Sequence, residues 1–237
     1  MKPEPDPTPA SKRRDKGALT RNERKDISRG IFLQAALALI GSGRSFTSLA
    51  IREIARGANM VPNAFYRHFR NTDELGLALV EEMGITLRRL LREARQSDQT
   101  QKNIVRRSVK IYYQYVMQNR LLFLFISSER YGGSRALRLA IRNEVNHFTR
   151  EMAQDLRLLG GYKDLSTQNL EMVCGLIVTT MLAAAPEILD LPPGHSVLEA
   201  EMTNNFVRQL QVILLGAGAW KNNNHPPATP TPIPTDL

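Results

Sequence analysis

An all-α chain, with a small three-helix head and a larger helical body, is predicted by three features of this 237-residue sequence. Apolar residues recur at three- and four-residue spacing through run after run, with no convincing alternation of period two. Glycines, prolines and cap-forming residues punctuate those runs at helix-length intervals. Positive charge is gathered at the front: residues 1–72 hold 14 Lys and Arg against 6 Asp and Glu, while residues 73–237 hold 18 against 17. Nearly all of the +9 net charge therefore sits in the first third. That asymmetry argues for a polyanion-binding head on a near-neutral body, with nucleic acid or an anionic membrane surface as candidate partners.

Residues 1–18 alternate prolines with charges and have almost nothing to bury, which predicts a disordered arm. Its cluster Lys12, Arg13, Arg14 and Lys16 reads as a solvated tail or as an arm that enters a DNA minor groove. The head is expected over 19–72. Thr20-Arg21-Asn22-Glu23 has the form of a capping box and starts a helix. Ile27, Ile31, Ala35 and Ala38, with Phe32 and Leu39 beside them, form its expected apolar stripe until Gly41-Ser42-Gly43 stops it. A short helix follows over Ile51–Arg56. Its cap position, Ala50, has no side-chain acceptor, so Ser48 or a shifted start is expected to serve. Gly57-Ala58-Asn59-Met60 is a tight turn in which asparagine suits a left-handed backbone. Pro62 fits the first turn of the next helix, where its missing amide hydrogen costs nothing. Two short helices joined by a tight turn and braced by a longer one make a helix-turn-helix.

Within that unit Phe65 and Phe69 lie four residues apart and are expected to pack on Ile54 and the first helix, leaving the other residues to face outward. Pro62, Asn63 and Ala64 make a small, polar helix start that can enter a major groove about 12 Å wide, where Asn63, Arg67 and Arg52 reach base edges. Tyr66, His68 and the amide end at Thr72 are suited to phosphates, because a hydroxyl, an imidazole and a helix amino terminus all donate to oxyanions. Solvated surface for the two arginines, and mutual packing of Tyr66 and His68, are the plainer alternatives.

Asn71-Thr72-Asp73-Glu74 begins a long capped helix carrying Leu75, Leu79, Met83, Leu87, Leu90 and Leu91 towards Ser97. Further helices are expected near 103–117, 121–128, 134–159, 167–189 and 197–220, completing a body over 73–221. Residues 222–237 carry prolines at 226, 227, 230, 232 and 234 and are expected to be a disordered tail. The single cysteine, Cys174, sits in an apolar run, which predicts a buried inert thiol and a cytoplasmic protein. The front end lacks a signal-peptide pattern, and the apolar run 172–186 is shorter than the roughly 20 residues of a membrane span. His68, His147, His195 and His225 show no metal spacing, and there is no phosphate-cradling glycine loop or nucleophile elbow. No metal, no cofactor and no enzymatic activity are therefore expected.

The stretch Ile51 to Leu75, IREIARGANMVPNAFYRHFRNTDEL, resembles the DNA-binding head of TetR-type transcriptional repressors, a likeness that extends from Thr20 to about Leu79. It departs from the usual pattern at Ala50, Asn59 and Thr72. A closer likeness is to the FabR and DesT regulators of unsaturated fatty acid synthesis, carried by Ser45-Phe46-x-Ser48-Leu49, Phe65-Tyr66-Arg67-His68-Phe69, Asp73-Glu74-Leu75-Gly76-Leu77 and Glu129-Arg130-Tyr131-Gly132-Gly133-Ser134. The resemblance implies a repressor that binds double-stranded operator DNA and whose body takes long-chain acyl thioesters of coenzyme A or acyl carrier protein.

Two heads match two DNA half-sites about one helical turn, roughly 34–36 Å, apart, so the body is expected to hold a homodimer. Ile177 and Met181 of the nearly all-apolar segment before Leu189, with Phe206, Leu210, Ile213 and Leu214 of the last helix, are the expected dimer residues; an intramolecular core is the alternative. Met83, Leu87, Tyr112, Phe123, Phe148 and Met152 are candidate pocket residues, because Met and aromatics with few charges suit a hydrophobic ligand. Plain core is the alternative for each. Arg130 is the candidate partner for phosphates of a coenzyme A head. Other open readings are a response to a different hydrophobic molecule, and nonspecific coating of DNA or an anionic surface driven by charge alone.

Overall fold

The computed structural model describes residues 20–96, 101–132, 134–192 and 194–220, the side chains of 101 and 102 excepted. The expected arm and tail lie outside the described residues. Those described form only helices: α1 (Arg21–Gly41), a single 3-10 turn (Phe46–Ser48), α2 (Ile51–Gly57), α3 (Pro62–Phe65), α4 (Thr72–Gln96), α5 (Gln101–Gln118), α6 (Arg120–Glu129), α7 (Arg135–Leu158), α8 (Thr167–Leu189) and α9 (Ser196–Ala219).

α1 begins as expected. The Thr20 hydroxyl accepts from the Glu23 amide at 3.2 Å, and the Glu23 carboxylate accepts from the Thr20 amide at 2.7 Å. Its buried face is corrected, however. Phe32, Leu33, Ala35, Ala36 and Leu37 are buried, whereas Ile27, Ile31 and Ala38 are exposed. α1 packs on α2 on one side and on α6 on another, so its core face is broader and starts later than a single stripe suggests.

α2 starts at Ile51 with Ala50 as its cap, and Ser48 takes no part: its hydroxyl donates to the Ser45 carbonyl within the 3-10 turn. Glu53 instead reaches back to accept from the Ala50 amide at 3.1 Å, and Arg44 clamps both carboxylate oxygens at 3.1 and 3.2 Å. Those hydrogen bonds hold the Glu53 carboxyl below its ordinary range. Asn59 does adopt a left-handed backbone, with φ of 53°. α3 is shorter than its aromatic run suggested. Beyond Phe65 the chain tightens into three-residue steps, Arg67 to Ala64 and His68 to Phe65, before Phe69 bonds back to Phe65 at 3.0 Å.

Asn71 opens α4 by accepting from the Glu74 amide at 2.9 Å. α4 then packs on α5 and α7, with Leu75, Leu79, Met83, Leu87 and Leu91 buried and Leu90 only half-buried. α8 is long and apolar enough to cross a membrane by length and composition, yet it packs on α5, α6, α7 and α9. Cys174 lies fully buried on it, and burial pushes its thiol up to about 12.

Head and body meet at one residue in particular. Phe46, 3 % exposed, stands edge-on to Phe125 of α6 with ring centroids 4.9 Å apart. Across from it is Gly76 of α4, where a β-carbon would lie 2.7 Å from the Phe46 ring tip and 2.8 Å from a Leu137 methyl. α4, α6 and α7 thus wall a socket for a head side chain. Gly76→Ala is expected to destabilise the fold by about 1–3 kcal/mol through overpacking. Gly30→Ala, where an added β-carbon meets nothing within 4 Å, is expected to gain about 0.5–1 kcal/mol, the two being compared by urea unfolding.

Candidate functional site

The outer surface of the head is set by what its inner surface needs. Phe65 and Phe69 are buried, with Phe65 edge-on to Phe32 of α1 at 5.5 Å and 5.4 Å from Phe69. Ile54 and Ala55 of α2 are also fully buried. These anchors turn the rest of α3 outward: Pro62, Asn63 and Tyr66 are exposed, Tyr66 at 57 %. Arg52 is exposed on α2. Ala64 is half-buried against the core, and Thr72 is half-buried at the start of α4.

Arg67 and His68 go elsewhere. With Asn22, Lys25, Asp26 and Arg29 of α1 they line a polar recess. The His68 ring lies 5.8 Å from Phe32, and its Nε2 is 2.8 Å from the Ser28 hydroxyl. Its Nδ1 is buried without a hydrogen-bond partner among the described residues. Burial, then the positive charges of Lys25, Arg29 and Arg67, hold the imidazole below its ordinary pKa. The neutral ring thus ties α3 to α1, beside Lys25, Arg67, Asp26 and an Arg29 that is paired with Glu82. Lys25, Arg29 and Asn22 were not among the sequence candidates; the charge run through the first turns of α1 was their signal.

A second feature lies in the body. α4, α5, α6, α7, α8 and α9 line a partly open cavity of about 120 Å³ with almost wholly apolar walls. Met83, Leu87, Tyr112, Phe148 and Met152 line it, bringing together five of the seven candidate pocket residues. Phe123 does not line it. That ring is fully buried, edge-on to Tyr112 and Tyr115 at 5.8 and 5.7 Å. Arg130 is not there either: it stacks over the exposed Tyr131 ring at 5.2 Å, close to the end of α6. Along the α4–α7 seam, Arg88 pairs with Glu144 and Glu151, Arg92 meets Glu151 at 2.7 Å, and Arg95 meets Asp155 at 2.5 Å. Arg95 is 4 % exposed and also lies over the Phe148 ring at 5.8 Å.

The expected dimer residues lie on the inward-facing sides of α8 and α9. Ile177, Phe206, Leu210 and Leu214 are buried inside one chain, and Met181 and Ile213 are half-buried against the same core. Ile177, Met181, Leu210 and Leu214 line the cavity. Strong apolarity marked the inner face, because a helix packed on both its neighbours and a cavity is greasiest there. The outer face of these helices carries a different set: Met172 and Leu176 on α8, 47 and 53 % exposed, and Val212 and Leu215 on α9, 68 and 73 % exposed.

Between head and cavity sits a buried carboxylate. Glu129 at the end of α6 is 3 % exposed, and its Oε2 has no hydrogen-bond partner among the described residues. Burial raises its pKa. Beside it the Ser134 hydroxyl donates to Asp73 of α4 at 3.1 Å, joining the start of α7 to the start of α4.

Among known proteins, residues 32–79 match the N-terminal domain of bacterial regulatory proteins of the tetR family. Residues 101–212 match the tetracyclin repressor-like C-terminal domain. The two segments together cover 160 of the 237 residues. The fold is similar to the fatty acid degradation regulator FadR from Bacillus halodurans, with a TM-score of 0.62 and 15 % identity over 80 % of this chain and 95 % of that one. It is also similar to a tetR-family transcriptional regulator from Streptomyces coelicolor, with a TM-score of 0.60 and 18 % identity over 82 and 83 % of the two chains. A third similar structure is AibR in complex with isovaleryl coenzyme A and operator DNA, with a TM-score of 0.56 and 14 % identity over 77 and 97 %.

The depressed pKa of His68 has a measurable sign. The unfolded chain binds the proton more tightly, so stability rises with pH across the interval from the folded value up to about 6.5. This contribution is present above that interval and lost as pH falls through it. In an NMR titration the His68 ring is expected to titrate below the ordinary histidine value, and an ordinary or higher midpoint would contradict the inward, neutral placement.

Proposed function

We propose, for a chain that belongs to the TetR family of bacterial regulators, that it is a homodimeric DNA-binding repressor whose operator affinity is set by a hydrophobic small molecule held in the α4-walled cavity. The observation that carries this reading is the continuity of α4. One helix begins directly behind the DNA-facing turn and, about three to four turns further on, presents Met83 and Leu87 to the cavity. A ligand changes DNA affinity only by as much as it prefers one arrangement of the two heads over another. Movement of α4, transmitted through the Phe46 socket and the Asp73–Ser134 contact, supplies such an arrangement.

In this reading Asn63, with Pro62 and Ala64 at its sides, enters the major groove, and Arg52 supports it from α2. Tyr66, the amide end at Thr72 and the Lys25–Arg29–Arg67 recess meet phosphates on the flank. His68 positions Arg67 and α3. The outer α8–α9 face, with Met172, Leu176, Val212 and Leu215, pairs with its copy as a four-helix interface. An acyl-bearing effector and control of lipid metabolism genes are supported by the FabR- and DesT-like sequence stretches, and by similar structures that include a fatty acid degradation regulator and an acyl-coenzyme A complex. A regulator of this kind works in the cytoplasm, with no chemical step of its own.

The test is a mobility shift on DNA upstream of the protein's own gene, with competitor DNA present. Tyr66→Phe is expected to weaken binding to all sequences by about 3- to 10-fold, the size of one lost phosphate hydrogen bond. Asn63→Ala is expected to change which bases are preferred, by about 1–3 kcal/mol at the affected position. A footprint unaltered by both changes would remove α3 from the interface. For assembly, Leu176→Glu with Leu215→Glu is expected to convert a dimer into folded monomers by light scattering and to abolish the shift. A variant still dimeric would relocate the interface.

A further inference from the structure

We propose that the effector buries a compact, uncharged hydrocarbon group of about five to eight carbon atoms in the cavity beside α4, and that a long straight acyl chain is excluded from it. The word effector rests on the regulator reading above; the size and charge selection rest on the cavity alone.

Size comes first. The cavity measures about 120 Å³. A dry apolar cavity of about 150 Å³ holds one benzene molecule, so the space here suits a small ring or a short branched chain. A palmitoyl chain carries more than twice as many carbons as benzene and would have to push packed wall residues out of their rotamers. The wall offers limited give. Met83, Met152 and Met181, one each from α4, α7 and α8, are adaptable side chains that tolerate differences of shape. Behind them the frame is fixed: Tyr112 is held edge-on by Phe123, and Leu210 is buried on α9. Variation in breadth is accommodated more readily than a chain that outgrows the space of about 120 Å³.

Charge selection follows from the seam. Arg88 and Arg95 both border the cavity, and both are already matched by carboxylates, Arg88 by Glu144 and Glu151 and Arg95 by Asp155. Glu144 itself borders the cavity. A carboxylate on the ligand would therefore meet no spare cation and would have to break an existing, largely buried pair, leaving one acid unmatched. Positive side chains beside a pocket often advertise an anionic ligand; here their partners remove that attraction. The tyrosine on the wall adds no charge, since burial holds the Tyr112 hydroxyl protonated well above its ordinary range.

The experiment uses the full chain with 13C-methyl-labelled methionine and follows the Met83, Met152 and Met181 methyl resonances. Cyclohexanol and methyl isovalerate are expected to give saturable shifts at these methyls. The isovalerate anion is expected to bind at least about tenfold more weakly than its ester, and palmitate to give no saturable shift. Val178→Phe, which grows a ring into the cavity, is expected to weaken both compact probes by about tenfold or more. Met152→Ala, which enlarges the space, is expected to extend binding to longer methyl esters, and it keeps the proposal testable should Val178→Phe fail to fold. The proposal is overturned if palmitate or oleoyl-coenzyme A shifts these methyls at lower concentration than cyclohexanol, if isovalerate binds as well as its ester, or if no compact probe shifts them. A parallel mobility shift separates this from the regulator reading. Compact probes that bind without changing DNA affinity would end the effector role and leave the size selection standing. Release of DNA by oleoyl-coenzyme A acting at these methyls would do the reverse.

Discussion

The seating of Phe46 is a close contact that locks the two halves of the molecule together, beside the packing of α1 on α6. It belongs to the head by sequence, since it lies between α1 and α2, yet its ring is enclosed by α4, α6 and α7 of the body. Gly76 is what permits the approach, because any side chain there would occupy the ring's place. An aromatic plug in a close-packed socket moves as a unit with its walls; interiors of this density switch between arrangements more readily than they deform. A change in the position of α4 is therefore a change in the position of the head.

The head itself shows a division of labour among neighbouring residues of one short segment. Phe65 and Phe69 face inward and fix α3, which at four residues has too few hydrogen bonds to persist alone. His68, at the end of the same turn, is neither fully core nor fully surface. Its ring leans on Phe32 and bonds to Ser28, and the cost of burying it neutral is small compared with burying a charge. Positive charge next to it is supplied instead by Lys25, Arg29 and Arg67.

Much of this was readable from the sequence, and the failures are instructive. The Thr20 capping box, the left-handed Asn59, the buried Phe65–Phe69 pair and the helix boundaries of the body depend on local chemistry, and each appears where the residues indicated. The buried face of α1 was only partly legible, with Phe32 and Ala35 buried but Ile27, Ile31 and Ala38 exposed, because a stripe of apolar residues says that a face is covered, not by what. Leu210 and Leu214 face a cavity in their own chain, while Val212, between them, faces out. Two residues of difference on a helix is a half-turn, and the packing of α9 on α5 and α8 decides it. The α4–α7 ion pairs join residues about sixty positions apart and had no local signature at all.

The bare hydrocarbon on the outside of α8 and α9 also bears on how abundant the protein can afford to be. Under the proposed α8–α9 pairing, a solitary protomer would show Val212 and Leu215 to chaperones and proteases, which recognise such surfaces, whereas a paired one would hide them. Synthesis below the association threshold would then yield chains that are both inactive on an operator and short-lived, and synthesis above it would yield chains that are neither. Under that pairing the dose response would be steep, with its steepness built from packing area.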